Sequence, residues 1–101
     1  MNMTEEAKIV YVGKNPSLTY ASEALALFHD GASEVSFKAR GFLIYKAVEA
    51  EQKLKTIFMP KVKSTVKTGI ETVTDRKTGQ KKQLPTIEII MKGTVKKEKE
   101  A

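Results

Sequence analysis

The spacing of hydrophobic and polar positions changes several times along this chain, and each change marks an element. Residues 8–12 (Lys-Ile-Val-Tyr-Val) form a short, nearly continuous apolar run closed by Gly13, as in a buried strand. Asn15 followed by Pro16 predicts a helix start, with asparagine as N-cap and proline at the first helical position. Over residues 16–29, Leu18, Ala21, Leu25 and Phe28 recur at three- and four-residue spacing and form one apolar stripe, which Asp30-Gly31 ends. Residues 33–40 alternate, with Val35, Phe37 and Ala39 on one face and Glu34, Ser36, Lys38 and Arg40 on the other. Strand, helix, strand is a βαβ unit, so the two strands are expected to be parallel with a right-handed crossover.

A second helix is predicted over residues 41–58. Leu43, Ala47, Ala50, Leu54 and Ile57 form its stripe, widened by Ile44, Val48 and Phe58, and Pro60 stops it. The remainder reads as β. In residues 61–73, Val62, Val66 and Ile70 fall on one face and Lys61, Lys63 and Lys67 on the other. Residues 84–92 alternate around Ile87, Ile89 and Met91, with Ile90 adding apolar character to the second face. The connection between them, residues 74–83, exceeds the usual hairpin loop. The order β-α-β-α-β-β predicts an α+β domain: a two-layer α/β sandwich with a mixed four-stranded sheet and both helices on one face. One domain is expected over residues 8–93, with a disordered stretch at 1–7 and a charged tail at 94–101.

Composition narrows the function. A chain of 101 residues with 41% hydrophobic content can bury a core, yet is small enough for self-association to help it. There is no cysteine, which excludes disulfides, thiol catalysis and cysteine-ligated zinc. The single histidine, His29, stands beside Asp30 at the predicted end of the first helix and cannot build a multi-histidine metal site. No Ser/His/Asp set occurs, and Glu49 and Glu51 face different ways on their helix and are expected to be solvated charges, so neither catalysis nor a cofactor is expected. No apolar run approaches the roughly 20 residues of a membrane span. The polar, acidic first residues differ from a secretory signal, so an intracellular, cytoplasmic location is expected.

Eighteen Lys and Arg against twelve Asp and Glu give a net charge of +6, an argument for a polyanionic partner. The charge is concentrated. Residues 61–83 hold seven cations (Lys61, Lys63, Lys67, Arg76, Lys77, Lys81, Lys82) and two acids (Glu71, Asp75), hence +5 of the total. This basic hairpin arm, about residues 61–92 with its tip at 74–83, is either a ribbon that follows a nucleic-acid groove or a loop whose lysines keep an edge soluble. Two strand-to-helix corners add further cations. Gly13-Lys14-Asn15-Pro16 puts Lys14 at the positive end of a helix dipole, although taken alone it reads as an ordinary capped turn. It is not a P-loop, because Lys8 stands where that motif needs glycine and Asn15 where it needs Ser or Thr. At the second corner Lys38 and Arg40 precede Gly41 and Lys46 follows it. Arg40 is suited to forked phosphate contacts, with Lys38 and Lys46 as point charges; the alternative is a solvated sheet face.

These stretches resemble the Alba family of archaeal chromatin proteins over about residues 8–93. The similarity rests on Val12-Gly13-Lys14-Asn15-Pro16 with Tyr20, on Lys38-Ala39-Arg40-Gly41 followed by Lys46-Ala47-Val48, on Phe58-Met59-Pro60, and on Thr86-Ile87-Glu88-Ile89. The resemblance implies a βαβαββ fold like the C-terminal domain of translation initiation factor 3. It implies homodimers that coat or condense double-stranded DNA on the chromosome, and bind RNA, with little sequence preference and without chemistry. RNA binding, as a ribonucleoprotein subunit or RNA chaperone, is the alternative main function. The implied contacts are Lys14, Arg40 and Lys46 with Lys38; Asn15 and Phe42 on the same surface and the arm residues Arg76, Lys77, Lys81 and Lys82 are the further candidate nucleic-acid contacts, and Phe58 is the implied contact between dimers. Departures from the family pattern are Asn15 where a second lysine is common, Phe42 where arginine is usual, and Ile57 where arginine is common. Each removes a cation from the body. Phe42 either stacks on an unpaired base or packs in the dimer or at the helix start.

Overall fold

The computed structural model describes residues 8–95; the expectations for residues 1–7 and 96–101 lie outside the described residues. The order is β1 (Lys8–Tyr11), α1 (Ser17–His29), β2 (Glu34–Arg40), α2 (Ile44–Lys53), β3 (Lys63–Thr74) and β4 (Lys81–Lys92). A 3₁₀ turn, Gly41–Leu43, leads into α2 and a π turn, Leu54–Phe58, follows it. The four strands form one sheet in the order β1-β2-β4-β3. β1 runs parallel to β2, and β4 runs antiparallel to both β2 and β3. This is the α+β, two-layer arrangement expected from the periodicity.

Alternation decides which face of the sheet is covered. Val10, Val35, Phe37, Ala39, Ile87, Ile89 and Met91 are buried and meet Tyr20, Ala21, Ala24, Phe28, Ala47, Ala50 and Leu54 of the helices in one core. The opposite face carries Tyr11, Lys38, Arg40, Lys67, Glu71 and Glu88, because directly paired residues share a face. Alanines at the inner positions of both helices let them lie close to the sheet and to each other. Val95, just past the expected domain end, also packs against the core.

Several expectations need correction. Leu18 is not on the inner stripe but 45% exposed; Ser17, Tyr20 and Ala24 take the buried positions with Ala21 and Phe28. The stripe is rotated because Tyr20 is drawn inward to bond the preceding corner. Asn15 does not cap α1: Pro16 occupies the cap position, with no side-chain hydrogen bond there. The π turn, in which the Met59 amide donates to the Leu54 carbonyl at 2.7 Å, adds a residue to the last turn. It carries Ile57 off the stripe into solvent while Phe58 stays half-buried against the core. Val48, Val66 and Ile70 are also exposed rather than buried. Finally, the β3–β4 ladder continues to Thr74 and Lys81, so the unpaired tip is residues 75–80, shorter than the 74–83 expected.

One buried charge joins the start of β3, at the end of the strand away from the tip, to α2. Glu51 is not the solvated charge expected from the sequence but is only 7% exposed, because Ser64 and Lys55 partner its carboxylate. It accepts bonds from the Ser64 hydroxyl on β3 at 2.7 Å and the Gln52 amide at 2.9 Å, and pairs with Lys55 at 3.2 Å. Burial by itself pushes this carboxyl up; the Ser64, Gln52 and Lys55 contacts outweigh it and hold the group below the ordinary carboxylate range. A folded value below the unfolded one couples folding to the ionised form. The contribution is therefore complete above the unfolded value of about 4.3 and is lost as pH falls through the lower folded value. Glu51→Ala should cost about 1–3 kcal/mol at pH 7, since it strands the Ser64 hydroxyl. In urea melts of wild type and variant, the difference should shrink below pH ~4; a difference constant from pH 7 to 3 would contradict this linkage.

Candidate nucleic-acid interface

Because β1 and β2 are parallel, both end at the same edge of the sheet, and both strand-to-helix corners emerge there. The first corner is fastened by one side chain. The Tyr20 hydroxyl oxygen accepts hydrogen bonds from the Gly13 amide at 2.9 Å and the Asn15 amide at 3.1 Å. Tyr20 itself is buried on α1, so the loop is pinned to the helix it precedes. A Cβ at Gly13 would stand 3.2 Å from that hydroxyl, which is why a residue without a side chain fits the close approach. The Val12 amide donates to the Lys38 carbonyl at 2.8 Å, carrying the parallel pairing up to the corner. Lys14 and Asn15 are consequently held at the surface, both exposed.

The second corner begins at Arg40, the last residue of β2. Gly41 has φ of 63°, a left-handed conformation that glycine adopts without strain, and the chain then winds into the 3₁₀ turn. Lys46 on α2 reaches back, its ammonium 3.3 Å from the Lys14 carbonyl. The two corners are thus bridged. Neither α1 nor α2 has a side-chain N-cap bond or an acid in its first turn, so among the described residues no cap or first-turn acid offsets the positive end of either helix. Phe42 is 77% exposed and does not pack at the helix start.

The arm leaves from the same edge. Pairing of β4 with β2 stops at Thr86↔Arg40, whereas β3 and β4 continue as a two-stranded ribbon for five more pairs, from Ile70↔Pro85 to Thr74↔Lys81. At about 3.3 Å per residue the ribbon projects about 16 Å before its turn, and it contributes to overall dimensions of 60 × 33 × 20 Å. The tip is built rather than slack. The Asp75 carboxylate accepts from the Lys77 amide at 2.8 Å and the Thr78 amide at 3.3 Å. The Asp75 amide and carbonyl bond Gln80 and Gly79, each at 2.8 Å, and Gly79 takes φ of 75°. Arg76 and Lys77 are presented on this turn, while Lys81 and Lys82, successive in β4, point to opposite faces of the ribbon. All four are exposed.

Acids temper the basic surface. Arg40 is paired with Glu71 of the arm at 2.9 Å, both side chains about half exposed. Glu88 lies between Lys38 and Lys67 in the strand register. A groove of about 830 Å³ runs over this junction, with Tyr11, Lys38, Arg40, Lys67, Glu71 and Glu88 among its lining residues. Of the residues singled out from sequence, Lys14, Asn15, Lys38, Arg40, Phe42 and Lys46 gather at the body's edge, and Arg76, Lys77, Lys81 and Lys82 form the projecting arm. Phe58 lies apart from both, in the π turn. The pairing of Arg40 with Glu71 joins residues 31 apart on two strands with β4 between them, so no local spacing in the sequence signals it. Among the described residues no three His, Cys, Asp or Glu side chains gather as a metal site, and no helix is long and apolar enough to cross a membrane.

A two-layer α+β body with two bridged basic corners and a cationic ribbon at one edge defines a scaffold shaped for an extended polyanion. The Alba family model matches residues 8–72, and the chain belongs to the Alba family. Relatives include the DNA/RNA-binding protein Alba of Nanoarchaeum equitans, 37% identical over 82 residues, covering 79% of this chain and 91% of that protein. The DNA/RNA-binding protein Alba of Methanocella arvoryzae is 32% identical over 88 residues, covering 86% and 91%. Among solved structures, Alba from Thermoplasma volcanium superposes with a TM-score of 0.79 at 28% identity, over 85% of this chain and all of that one. ALBA1 from Trypanosoma brucei gives 0.69 at 25% identity, over 90% and 73%.

Removing the hydroxyl that holds the first corner tests how that corner is built. Tyr20→Phe leaves the Gly13 and Asn15 amides without their acceptor and should cost about 1–2 kcal/mol. Amide hydrogen exchange at Gly13 and Asn15 should accelerate while α1 remains protected. Unchanged exchange at both amides would show that the corner holds without Tyr20.

Proposed function

We propose that this protein is a non-enzymatic nucleic-acid-binding protein that coats or compacts double-stranded DNA through phosphate contacts with little sequence preference. The observation that carries this reading is the convergence of two uncapped helix starts, the cations Lys14, Arg40 and Lys46, and the basic arm on one edge of the sheet. Backbone amides and cations at a helix start suit phosphate oxygens, and a ribbon with cations on both faces suits a groove with phosphates on both walls. Relatives named as DNA/RNA-binding proteins support the same reading. The protein acts in the cytoplasm, associated with the chromosome. RNA is the second ligand, favoured by the exposed aromatic Phe42 at the centre of the surface.

The working form is a homodimer. Val48 on α2 and Val66 and Ile70 on β3 are 41%, 55% and 70% exposed. The Glu51–Ser64 bond sets that side of α2 beside β3, and a second copy is the natural cover for an apolar face on so small a domain. A two-fold axis there sets two basic edges side by side. Phe58, next to the exposed Ile57, is the contact between neighbouring dimers on DNA. Sedimentation should give a dimer at micromolar concentration, and Ile70→Lys should produce monomers; a wild-type monomer would overturn the assembly.

The direct test is competition between a duplex and structured RNA across a salt series. Release of counterions from about five phosphates gives a log–log slope of about −4 to −5 for duplex DNA, and a flat salt response would overturn the electrostatic reading. Arg40→Ala should weaken binding by about 1–2 kcal/mol, the pairing it surrenders with Glu71 offsetting part of its value. Glu71→Gln should tighten binding by about two- to fivefold, since it frees Arg40. Arg76→Ala and Lys81→Ala should each cost less than Arg40→Ala; the reverse ranking would make the arm the primary site.

A further inference from the structure

Two large aromatic side chains lie exposed among the cations of the binding edge. Phe42 is 77% exposed and Tyr45 is 58% exposed. They are three residues apart where the 3₁₀ turn runs into α2, so they share one side of the helix with Cβ atoms about 5–6 Å apart. The surroundings of the rings are cationic. The Lys46 ammonium lies 5.9 Å from the centre of the Tyr45 ring and 3.3 Å from the Lys14 carbonyl, and Arg40 ends the strand two residues before Phe42. Apolar rings left in water are unfavourable, and they are more so in a surface otherwise built for a hydrated polyanion.

A paired duplex offers these rings nothing, because its base faces are stacked inside. An unpaired nucleotide offers a π-face and a phosphate together, matching an aromatic ring flanked by ammonium and guanidinium groups. We propose that Phe42 and Tyr45 form a stacking platform for unpaired bases, with the flanking phosphates held by Lys46, Lys14 and Arg40. This rests on the nucleic-acid reading above and sharpens it: the cations of body and arm hold the phosphates of duplex and single strand alike, and the two rings add a preference for unpaired bases, in loops or single strands, over fully paired helix. The shared chemistry is the exposed base, from RNA or from single-stranded DNA.

The test uses the full chain and four labelled probes of equal length: duplex DNA, single-stranded DNA, single-stranded RNA and an RNA hairpin with a loop. Phe42→Ala/Tyr45→Ala should weaken binding to the single strands and the hairpin by about ten- to a hundredfold and to duplex by less than about twofold, with the salt slopes unchanged because no charge is removed. Phe42→Tyr/Tyr45→Phe should restore wild-type affinity. Phe42→Trp introduces a tryptophan into a chain that has none, and its emission should be quenched by single strands but not by duplex. RNA and single-stranded DNA losing affinity alike assigns recognition to the base; loss on RNA alone brings in the ribose hydroxyl as well. Equal losses on duplex and single strands, or no loss on either, would overturn the platform. A changed sedimentation coefficient in Phe42→Ala/Tyr45→Ala would overturn it too, by placing the rings between copies of the chain. Were wild type to bind none of the four probes, the nucleic-acid reading itself would fall; were wild type to bind normally and the variants match it, only the platform would.

Discussion

Parallel pairing of β1 with β2 is the constraint on which the rest of the basic edge depends. Strands that run the same way must end at the same edge, and each is followed by a helix whose first amides point back toward that edge. The corners therefore converge because of topology, before any particular cation is considered. Tyr20 then sets the loop of the first corner, and glycine at position 41 lets β2 turn into its helix. The Lys46–Lys14 contact bridges the two. Antiparallel β4 adds the third part: by running past the end of β2, it carries the ribbon out from the edge where both corners lie.

Charge on this edge is balanced rather than maximal. Arg40 is met by Glu71, and Lys38 and Lys67 flank Glu88. A cation already paired in the free protein gives up that pairing when phosphate arrives, so the gain in affinity is smaller than for a free one. The compensation is order: Arg40 is held toward the root of the arm by a bond that also ties the arm to β2. The exposed cations of the tip have no such partner among the described residues. Body and arm thus suit different tasks, orientation at the corners and reach along the ribbon.

Much of this was legible in the sequence. The three-and-four spacing located both helices, the alternation around Val35, Phe37, Ile87 and Ile89 located the two central strands, and the concentration of lysine marked the arm. What escaped was set by long-range contacts. Asn15 followed by Pro16 has the local chemistry of a cap, but Tyr20 takes up the amides of that loop and shifts the buried stripe, leaving Leu18 outside. A π turn changes the helical period where no proline or glycine warns of it, and so Ile57 faces water. Val66 and Ile70 alternate like core residues, yet they lie on the edge strand β3, where they stay exposed. The pairing of Arg40 with Glu71 and the clamp of Glu51 on Ser64 join residues far apart in sequence, and periodicity carries no information about such contacts.

Amide chemical shifts during titration of the isotope-labelled protein with a short DNA duplex test the central claim most directly, because they locate the bound polyanion residue by residue. The largest changes should fall together in residues 13–15, 40–46 and 76–82, with little movement at the far end of the sheet around Ser33 and Gly93, whose backbones are bonded there. Changes concentrated around Ser33 and Gly93, or confined to the tip with both corners silent, would contradict the convergence of corners and arm into one binding edge.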